Sequence, residues 1–198
     1  MGSVLRWCVI GLCLVCPAAA LADTTSWQPT PADLWGLDHQ DYYTWGIAWQ
    51  VPEGKSVIAA SLFIDNINDW QVESGDILFI HLLDNPQLGT KRWSDNEGGG
   101  DAFANQGILL TTYTDDDGYP NPAEDFRYDF TPTQLSTLRD YAGNGVFGFG
   151  LDPDCHYYNC GVTFAITTAT VPEPAAGGLM MALGAVVLRA RRRLISGC

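Results

Sequence analysis

The chain has 198 residues, of which 46% are hydrophobic and 17% charged, and its formal net charge is −13 at pH 7. The stretch 23–170 alone holds 22 acidic and five basic residues, a net charge of −17, and is long enough to bury a core. A surface this acidic repels nucleic acid and anionic lipid, which argues against both as partners. It favours solubility, divalent cations or neutral polymers.

The N-terminal segment Met1–Ala22 has the three parts of a cleavable export signal. Arg6 supplies the positive charge of such a signal, and Trp7–Val15 is its apolar region. Small residues at Ala20 and Ala22 form a cleavage site. The sequence therefore predicts a signal peptide over 1–22 and an exported domain over 23–170.

The exported domain has the pattern of a β protein. Apolar residues alternate from Tyr43 to Val51, which is the period of a half-buried strand. Further short apolar runs are separated by Gly, Asn, Asp and Pro, which favour turns. Strands are predicted at Tyr43–Val51, Val57–Ile64, Asp76–Leu83, Gly107–Tyr113, Phe126–Phe130, Val146–Leu151 and Val162–Thr168.

One helix interrupts this pattern. Thr131 suits the N-cap, Pro132 the first helical position and Gly143 the end, so a helix is predicted over Pro132–Tyr141. Short strands with turn residues between them, and one helix, predict an all-β fold. The expected architecture is an antiparallel β-sandwich of jelly-roll type.

Two cysteines, Cys155 and Cys160, lie within the exported domain. In an oxidising compartment, two cysteines at this spacing predict a disulfide that closes a short loop. A metal-binding pair is the alternative interpretation.

The sequence carries no recognisable catalytic motif. The three histidines, His39, His81 and His156, are isolated, and metalloprotease, serine-hydrolase and phosphate-loop patterns are absent. His81 lies within an apolar strand, where a hydrogen-bonded core histidine is the ordinary role. We therefore predict a protein that is not an enzyme, with a glycan-active carboxylate pair as the alternative.

Two acidic loops are candidate sites for a structural calcium ion, the one cofactor that the composition suggests. Asp115 and Asp117 precede a turn glycine, and Asp152 and Asp154 flank a proline. Carboxylate oxygens are ligands that calcium prefers, although the spacing is not that of an EF-hand. Solvated turn residues are the alternative interpretation.

Six tryptophans lie in the exported domain. Trp45 and Trp49 fall in strand register and are predicted to be in the core. Trp93 follows two basic residues and precedes a glycine-rich run, which predicts an exposed indole in a loop. An exposed indole suits stacking against a sugar ring, so Trp93 is the candidate ligand-binding residue.

The C-terminal segment 171–198 combines a motif, an apolar run and a basic cluster. Its 14-residue apolar run Ala175–Leu188 would rise about 21 Å as a helix, against a hydrocarbon core of about 30 Å. A cytoplasmic arginine cluster would leave the preceding domain outside. The motif is Val171, Pro172, Glu173 and Pro174, and the cluster is Arg189, Arg191, Arg192 and Arg193.

This C-terminal arrangement resembles the PEP-CTERM sorting signal of exported bacterial proteins. The resemblance implies recognition by exosortase, a membrane transpeptidase, with processing near the Pro-Glu-Pro. It implies transient anchoring in the inner membrane, then residence at the cell surface or in the extracellular matrix of a Gram-negative-type bacterium. Ser56–Asp84 and Phe147–Asn159 also resemble an ectodomain that recurs in this group, which implies a β-sandwich.

The expected function combines these observations. An exported, acidic β-sandwich with a candidate stacking tryptophan is expected to bind or structure exopolysaccharide. The alternatives are a purely structural matrix component without a specific ligand and a secreted glycan-active enzyme.

Overall fold

A computed structural model describes residues 22–72, 75–95 and 99–171. Within these ranges no helix is long and apolar enough to cross a membrane. Most of the predicted signal peptide and of the predicted sorting segment lies outside the described residues. The predicted site residues that lie outside them are Ala20, Pro172, Glu173, Pro174, Arg189, Arg191, Arg192 and Arg193.

The described chain forms ten strands, one α-helix and a short 3₁₀ turn at Leu34–Gly36. The strands before the helix are β1 (Ala22–Trp27), β2 (Asp41–Ala48), β3 (Lys55–Asp69), β4 (Leu78–Asp84), β5 (Gly89–Ser94), β6 (Ile108–Tyr113) and β7 (Glu124–Asp129). After them come α1 (Pro132–Ala142), β8 (Val146–Pro153), β9 (Tyr157–Tyr158) and β10 (Gly161–Thr170).

These strands form two antiparallel sheets. Sheet A has the order β1-β10-β3-β7, and the short β9 also pairs with β3. Sheet B has the order β5-β2-β8-β4-β6. Most consecutive strands fall in opposite sheets, so the connections pass from one sheet to the other. The predicted antiparallel β class with one helix is confirmed.

One hydrophobic core lies between the sheets. The side chain of Phe164 from β10 packs against Phe147 and Phe149 from β8, with ring centroids 5.7 and 4.7 Å apart. All three side chains are fully buried. Burial of one such side chain stabilises the fold by about 1.5–3 kcal/mol. The aromatic contacts across the two layers therefore hold the sheets together.

The helix begins and ends as its sequence predicts. Thr131 is the N-cap and accepts a hydrogen bond from the Gln134 backbone, while the Gln134 side chain accepts one from the Thr131 N–H. This reciprocal pair satisfies helix donors that otherwise lack partners. Gly143 follows as the C-cap, and Leu138 and Ala142 are buried against the sandwich.

All seven predicted strands are present, but three strands were missed. β1 and β5 lie at sheet edges, where most of their side chains face solvent. Their sequences therefore lack the apolar alternation that identifies a half-buried strand. β9 is only two residues long. The strand predicted over Tyr43–Val51 ends earlier, at Ala48.

The predicted disulfide between Cys155 and Cys160 is not formed. Both cysteines are free, Cys155 buried and Cys160 exposed. The Cys155 thiol donates to the Asp69 carboxylate, with Sγ 2.9 Å from Oδ1. Cys160 lies just before β10, where its backbone N–H donates to the Asp65 carbonyl. The two side chains therefore lie in different environments, which the spacing alone does not show.

Candidate functional site

Two loops pack directly against the outer face of sheet B, and the strand residues beneath them are the glycines Gly148 and Gly150. A Cβ atom added to Gly148 would come within 2.7 Å of the Pro86 ring. One added to Gly150 would come within 2.8 Å of the Phe103 ring, which is buried. Real Cβ atoms do not approach other atoms so closely. The absence of side chains at these positions therefore lets two loops settle onto the sheet and shape its surface.

Polar side chains of sheet B fasten the loop of residues 99–107 to this face. His81 is almost fully buried, with Nε2 3.0 Å from Asp101 Oδ2 and Nδ1 3.2 Å from the Gln106 carbonyl. The predicted role of His81 as a hydrogen-bonded core residue is confirmed. Asp152 Oδ2 accepts from the Ala102 N–H at 2.6 Å, and Asp154 accepts from a further loop N–H.

A cleft of about 400 Å³ lies between this loop, the segment that follows β4, and the strands β2 and β5. Trp93 and Tyr42 are cross-strand partners on its wall, with ring centroids 6.5 Å apart and 19° between their planes. The Tyr42 ring also meets Phe103 edge-on at 5.4 Å. Trp93 is 43% exposed, and its Nε1 donates to Thr44 Oγ1 at 3.2 Å. The hydrogen bond and ring contact hold the indole in one orientation.

Polar side chains complete the lining of this cleft. Asp84 is the last residue of β4, and its Oδ1 accepts a hydrogen bond from Asn144 Nδ2 at 2.8 Å. Gln106 is held by a bond from its Nε2 to the Ala102 carbonyl. Asn85 and Gln87 also line the cleft. The cleft therefore combines a parallel aromatic pair with amide and carboxylate groups, which suits a ligand with both apolar faces and hydroxyl groups.

The prediction that Trp93 is exposed is confirmed, but its setting differs from the predicted loop. Trp93 lies in β5, an edge strand that the sequence pattern missed. The pairing of β5 with β2 brings Tyr42 beside it. Sequence analysis did not single out Tyr42, because its role depends on this pairing. Trp45 is buried and Trp49 packs partly buried against the core, as predicted.

The four predicted calcium ligands do not come together. Asp115 accepts backbone N–H groups through both oxygens, from Asp69 at one and from Asp117 and Gly118 at the other. Asp117 is exposed in the same turn. Asp152 and Asp154 instead bind the backbone of the loop 99–107. Calcium at these residues stays a prediction.

Asp152 is nevertheless an unusual carboxyl group. It is fully buried, and its Oδ1 has no hydrogen-bond partner in the described structure. Burial raises the pKa of Asp152 to about 6, and the nearby carboxylates Asp95, Asp154 and Asp101 add to the increase. The bond from the Ala102 N–H opposes it. Asp152 therefore gains a proton in mildly acidic solution, where ordinary aspartates remain charged.

A second aromatic cleft lies elsewhere on the surface. Trp70, Tyr119 and Tyr158 line a hollow of about 430 Å³ together with Gln71. These three rings are at least 48% exposed. No stacked pair like that of Trp93 and Tyr42 is found among them, but Tyr158 lies against His156 with centroids 4.4 Å apart. This hollow therefore holds exposed aromatic side chains similar to Trp93 but lacks the stacked arrangement found in the cleft on sheet B.

Among the described residues, one group brings three possible metal ligands within 4.8 Å of one another: Asp69, Asp76 and Cys155. None of the predicted calcium ligands belongs to this group. Its members come from three separate chain segments, so the sequence offered no local motif from which to find it.

No protein-family model matches the chain, and no curated protein or solved structure matches it either. The class of the molecule therefore rests on its own architecture: a two-sheet antiparallel β protein with an aromatic cleft on one outer face.

Proposed function

We propose that this protein is exported and binds an extracellular polysaccharide through the cleft on sheet B. The observation that carries the proposal is the fixed, exposed indole of Trp93 beside the nearly parallel ring of Tyr42. The C–H faces of a sugar ring are apolar and pack against such an indole, while its hydroxyl groups need partners. Asp84, Asn85 and Gln106 supply amide and carboxylate groups in the same cleft.

The charge of the domain narrows the ligand class. A net charge of −17 over residues 23–170 disfavours a polyanion, so we propose a neutral polymer. Residues lining the cleft include one carboxylate, Asp84. Glycoside hydrolysis uses a pair of carboxyl groups about 5–10 Å apart. The lining therefore favours binding over catalysis.

We assign the fold to the jelly-roll type. If β5 and β9 are set aside, the remaining eight strands, renumbered in chain order, follow the order 1-8-3-6 in one sheet and 2-7-4-5 in the other. That order consists of the nested antiparallel pairs 1-8, 2-7, 3-6 and 4-5. Each pair lies within one sheet and successive pairs alternate between the two sheets, which is the arrangement of an eight-stranded jelly roll. Such double sheets occur in lectin domains, which is an analogy of fold only.

We further propose sorting by exosortase through the C-terminal segment 171–198. Two features support this proposal. β10 ends at Thr170, so the Pro-Glu-Pro follows the last strand almost directly. β1 and β10 are antiparallel, with Ala22 opposite Ala169. Ala22 and Thr170 therefore lie at the same end of sheet A, and a cut after Ala22 would remove only the first residue of β1.

The binding proposal is tested by retention on the exopolysaccharide of the producing organism. Trp93→Ala removes roughly 100 Å² of stacking area, worth about 2–3 kcal/mol, which corresponds to a 30–100-fold loss of affinity. Trp93→Phe should recover part of this loss. Trp70→Ala is the matched control, because Trp70 is exposed to a similar extent but lies in the other cleft.

Each outcome of this experiment points to a different role. If calcium organises the site, a chelator should weaken both retention and thermal stability, added Ca²⁺ should restore both, and Trp93→Ala should have little effect. In a purely structural matrix protein, neither Trp93→Ala nor the removal and return of Ca²⁺ would change retention. If the unaltered protein shows no affinity for the polymer, the binding proposal is wrong and the structural role is left.

Sorting is tested by the intact mass of the secreted protein. In a strain that contains exosortase, we expect loss of residues 1–22 and a second cut near Pro172–Pro174. A strain without exosortase should retain the C-terminal segment. A secreted protein that keeps Arg189–Arg193 in the first strain would contradict the sorting proposal.

A further inference from the structure

Three side chains meet where β3 ends, β4 begins and β8 ends. Asp69 ends β3, Asp76 precedes β4, and Cys155 follows β8. One oxygen of each aspartate and the cysteine sulfur all lie within 4.8 Å of one another. The Cys155 sulfur is 2.9 Å from Asp69 Oδ1. Two carboxylates and a thiol at this separation can ligate a single ion.

Unsatisfied polar atoms at this cluster indicate a missing partner. Asp69 is fully buried, and its Oδ2 has no hydrogen-bond partner, whereas its Oδ1 accepts from the Gln71 N–H and the Cys155 thiol. Tyr157, the cross-strand partner of Asp69, is also fully buried, and its hydroxyl group has no partner. Leaving such atoms unpaired in the interior is costly. A cation at the cluster would satisfy Asp69 Oδ2 directly.

The cluster also has a route from solvent. Asp76 is partly exposed and lines a surface hollow of about 230 Å³. Asp115 and Asp116 line the same hollow, so its mouth carries negative charge that attracts cations.

We propose that Asp69, Asp76 and Cys155 bind a divalent transition-metal ion of the zinc type. A thiolate is a soft ligand that zinc accepts, whereas calcium and magnesium select oxygen ligands alone. On binding, the S–H bond of Cys155 breaks, a metal–sulfur bond forms, and the proton passes to water. Three protein ligands leave one position of a tetrahedral site for water. This site is separate from the sugar cleft and does not depend on the proposed function.

Bound metal would link the end of β8 to the end of β3 and the start of β4, which lie about 80 residues earlier in the chain. Because the unfolded chain does not hold these ligands together, binding stabilises the folded state. At a metal concentration well above the dissociation constant, we expect the melting temperature to rise by about 5–10 °C.

The test uses the full-length chain in detergent, stripped of metal with a chelator and titrated with Zn²⁺ by calorimetry. Cys155→Ser and Asp76→Asn should each weaken the Zn²⁺ affinity by more than about 100-fold, because each removes a direct ligand. Cys160→Ser is the matched control and should bind as the unaltered protein does. Cd²⁺ should give the ultraviolet charge-transfer band of a metal–thiolate bond, and Cys155→Ser should reduce it.

Comparison of the two cysteine variants isolates Cys155 from the cysteines near the two termini. If Cys155→Ser and Cys160→Ser bind Zn²⁺ and Cd²⁺ equally, the proposed site is wrong. The same holds if the unaltered protein binds no Zn²⁺, or if Ca²⁺ competes with Zn²⁺ at equal concentration. Should Cys155→Ser fail to fold, Asp76→Asn decides the question, since Asp76 is partly exposed and its side chain is nearly isosteric with asparagine.

Discussion

The two sheets share one core but present different outer faces. On sheet A, small side chains of β3 and β10 border a hollow of about 210 Å³, among them Ala59, Ser61, Ala165 and Thr167. On sheet B, glycines allow two loops to lie on the strands, and the space between them is a cleft of about 400 Å³.

This difference between the two outer faces indicates how a sheet can acquire a binding surface. On sheet A, the hollow is bordered by small side chains and by the ion pair of Arg127 with Asp129. On sheet B, Gly148 and Gly150 let two loops lie on the strands, and residues of these loops line the cleft. The edge strand β5 adds the aromatic side chain of Trp93. Stability depends on the side chains that point inward from both sheets, whereas the proposed binding depends on outward side chains of sheet B and on the two loops that lie on it.

The largest effect on stability is expected from a substitution in the core that the two sheets share. Phe164→Ala should destabilise the protein by about 3–5 kcal/mol, because its fully buried ring contacts the aromatic side chains of β8. Phe63→Ala is the matched control, since Phe63 is on β3 but only partly buried. Urea denaturation should show a much smaller change for it. Equal losses in the two variants would contradict the assignment of inward and outward positions.

The next effect concerns Asp152, which fastens the loop to sheet B. The pKa of Asp152 is raised to about 6 in the folded protein, against about 3.9 in an unfolded chain. Between these values the folded state binds more protons, so the contribution of this group to stability is greatest below pH 4 and is lost as pH rises through 6. The loss corresponds to about 3 kcal/mol at most.

Asp152→Asn should remove this dependence on pH. An amide oxygen can still accept from the Ala102 N–H without burying a charge, so we expect the variant to be more stable than the unaltered protein at pH 7.5. Urea denaturation at pH 4.5 and 7.5 measures the effect. Asp116→Asn, at an exposed loop residue, is the control and should leave the pH profile unchanged. A variant at Asp152 with the original pH profile would show that another group is responsible.

The substitution with the smallest expected effect on stability, Gly150→Ala, should still weaken binding clearly. Gly150→Ala places a methyl group against the Phe103 ring, which must move and carry its loop with it. Such overpacking costs about 1–3 kcal/mol, and the displaced wall should weaken polysaccharide retention. Gly99→Ala, where an added Cβ meets no atom within 4 Å, is the control. Retention by Gly150→Ala at the original level would show that the cleft does not need this wall.

The predictions that succeeded depend on local patterns. The capped helix after Thr131 was predicted because its cap residues act on neighbouring backbone groups. The strands of the interior were predicted because a buried face requires apolar residues at alternate positions. The exposure of Trp93 was also predicted, from the polar and glycine-rich residues around it.

The predictions that failed needed information from distant residues. The spacing of Cys155 and Cys160 favoured a disulfide, but the carboxylate that binds the Cys155 thiol lies 86 residues earlier, at Asp69. The edge strand β5 was missed because exposed side chains impose no apolar pattern. Because β5 was not predicted, the sequence offered no reason to expect Trp93 and Tyr42 to lie side by side.

The sequence by itself determined the β class, the position of the helix and most strands of the interior, because each depends on interactions between residues close in the chain. Only the tertiary structure decided which residues share a site. The cleft needs β2, β5 and two loops, and the Asp69, Asp76 and Cys155 cluster needs three chain segments. Such contacts arise when the two sheets pack around their common core, since packing brings together residues that no local pattern relates.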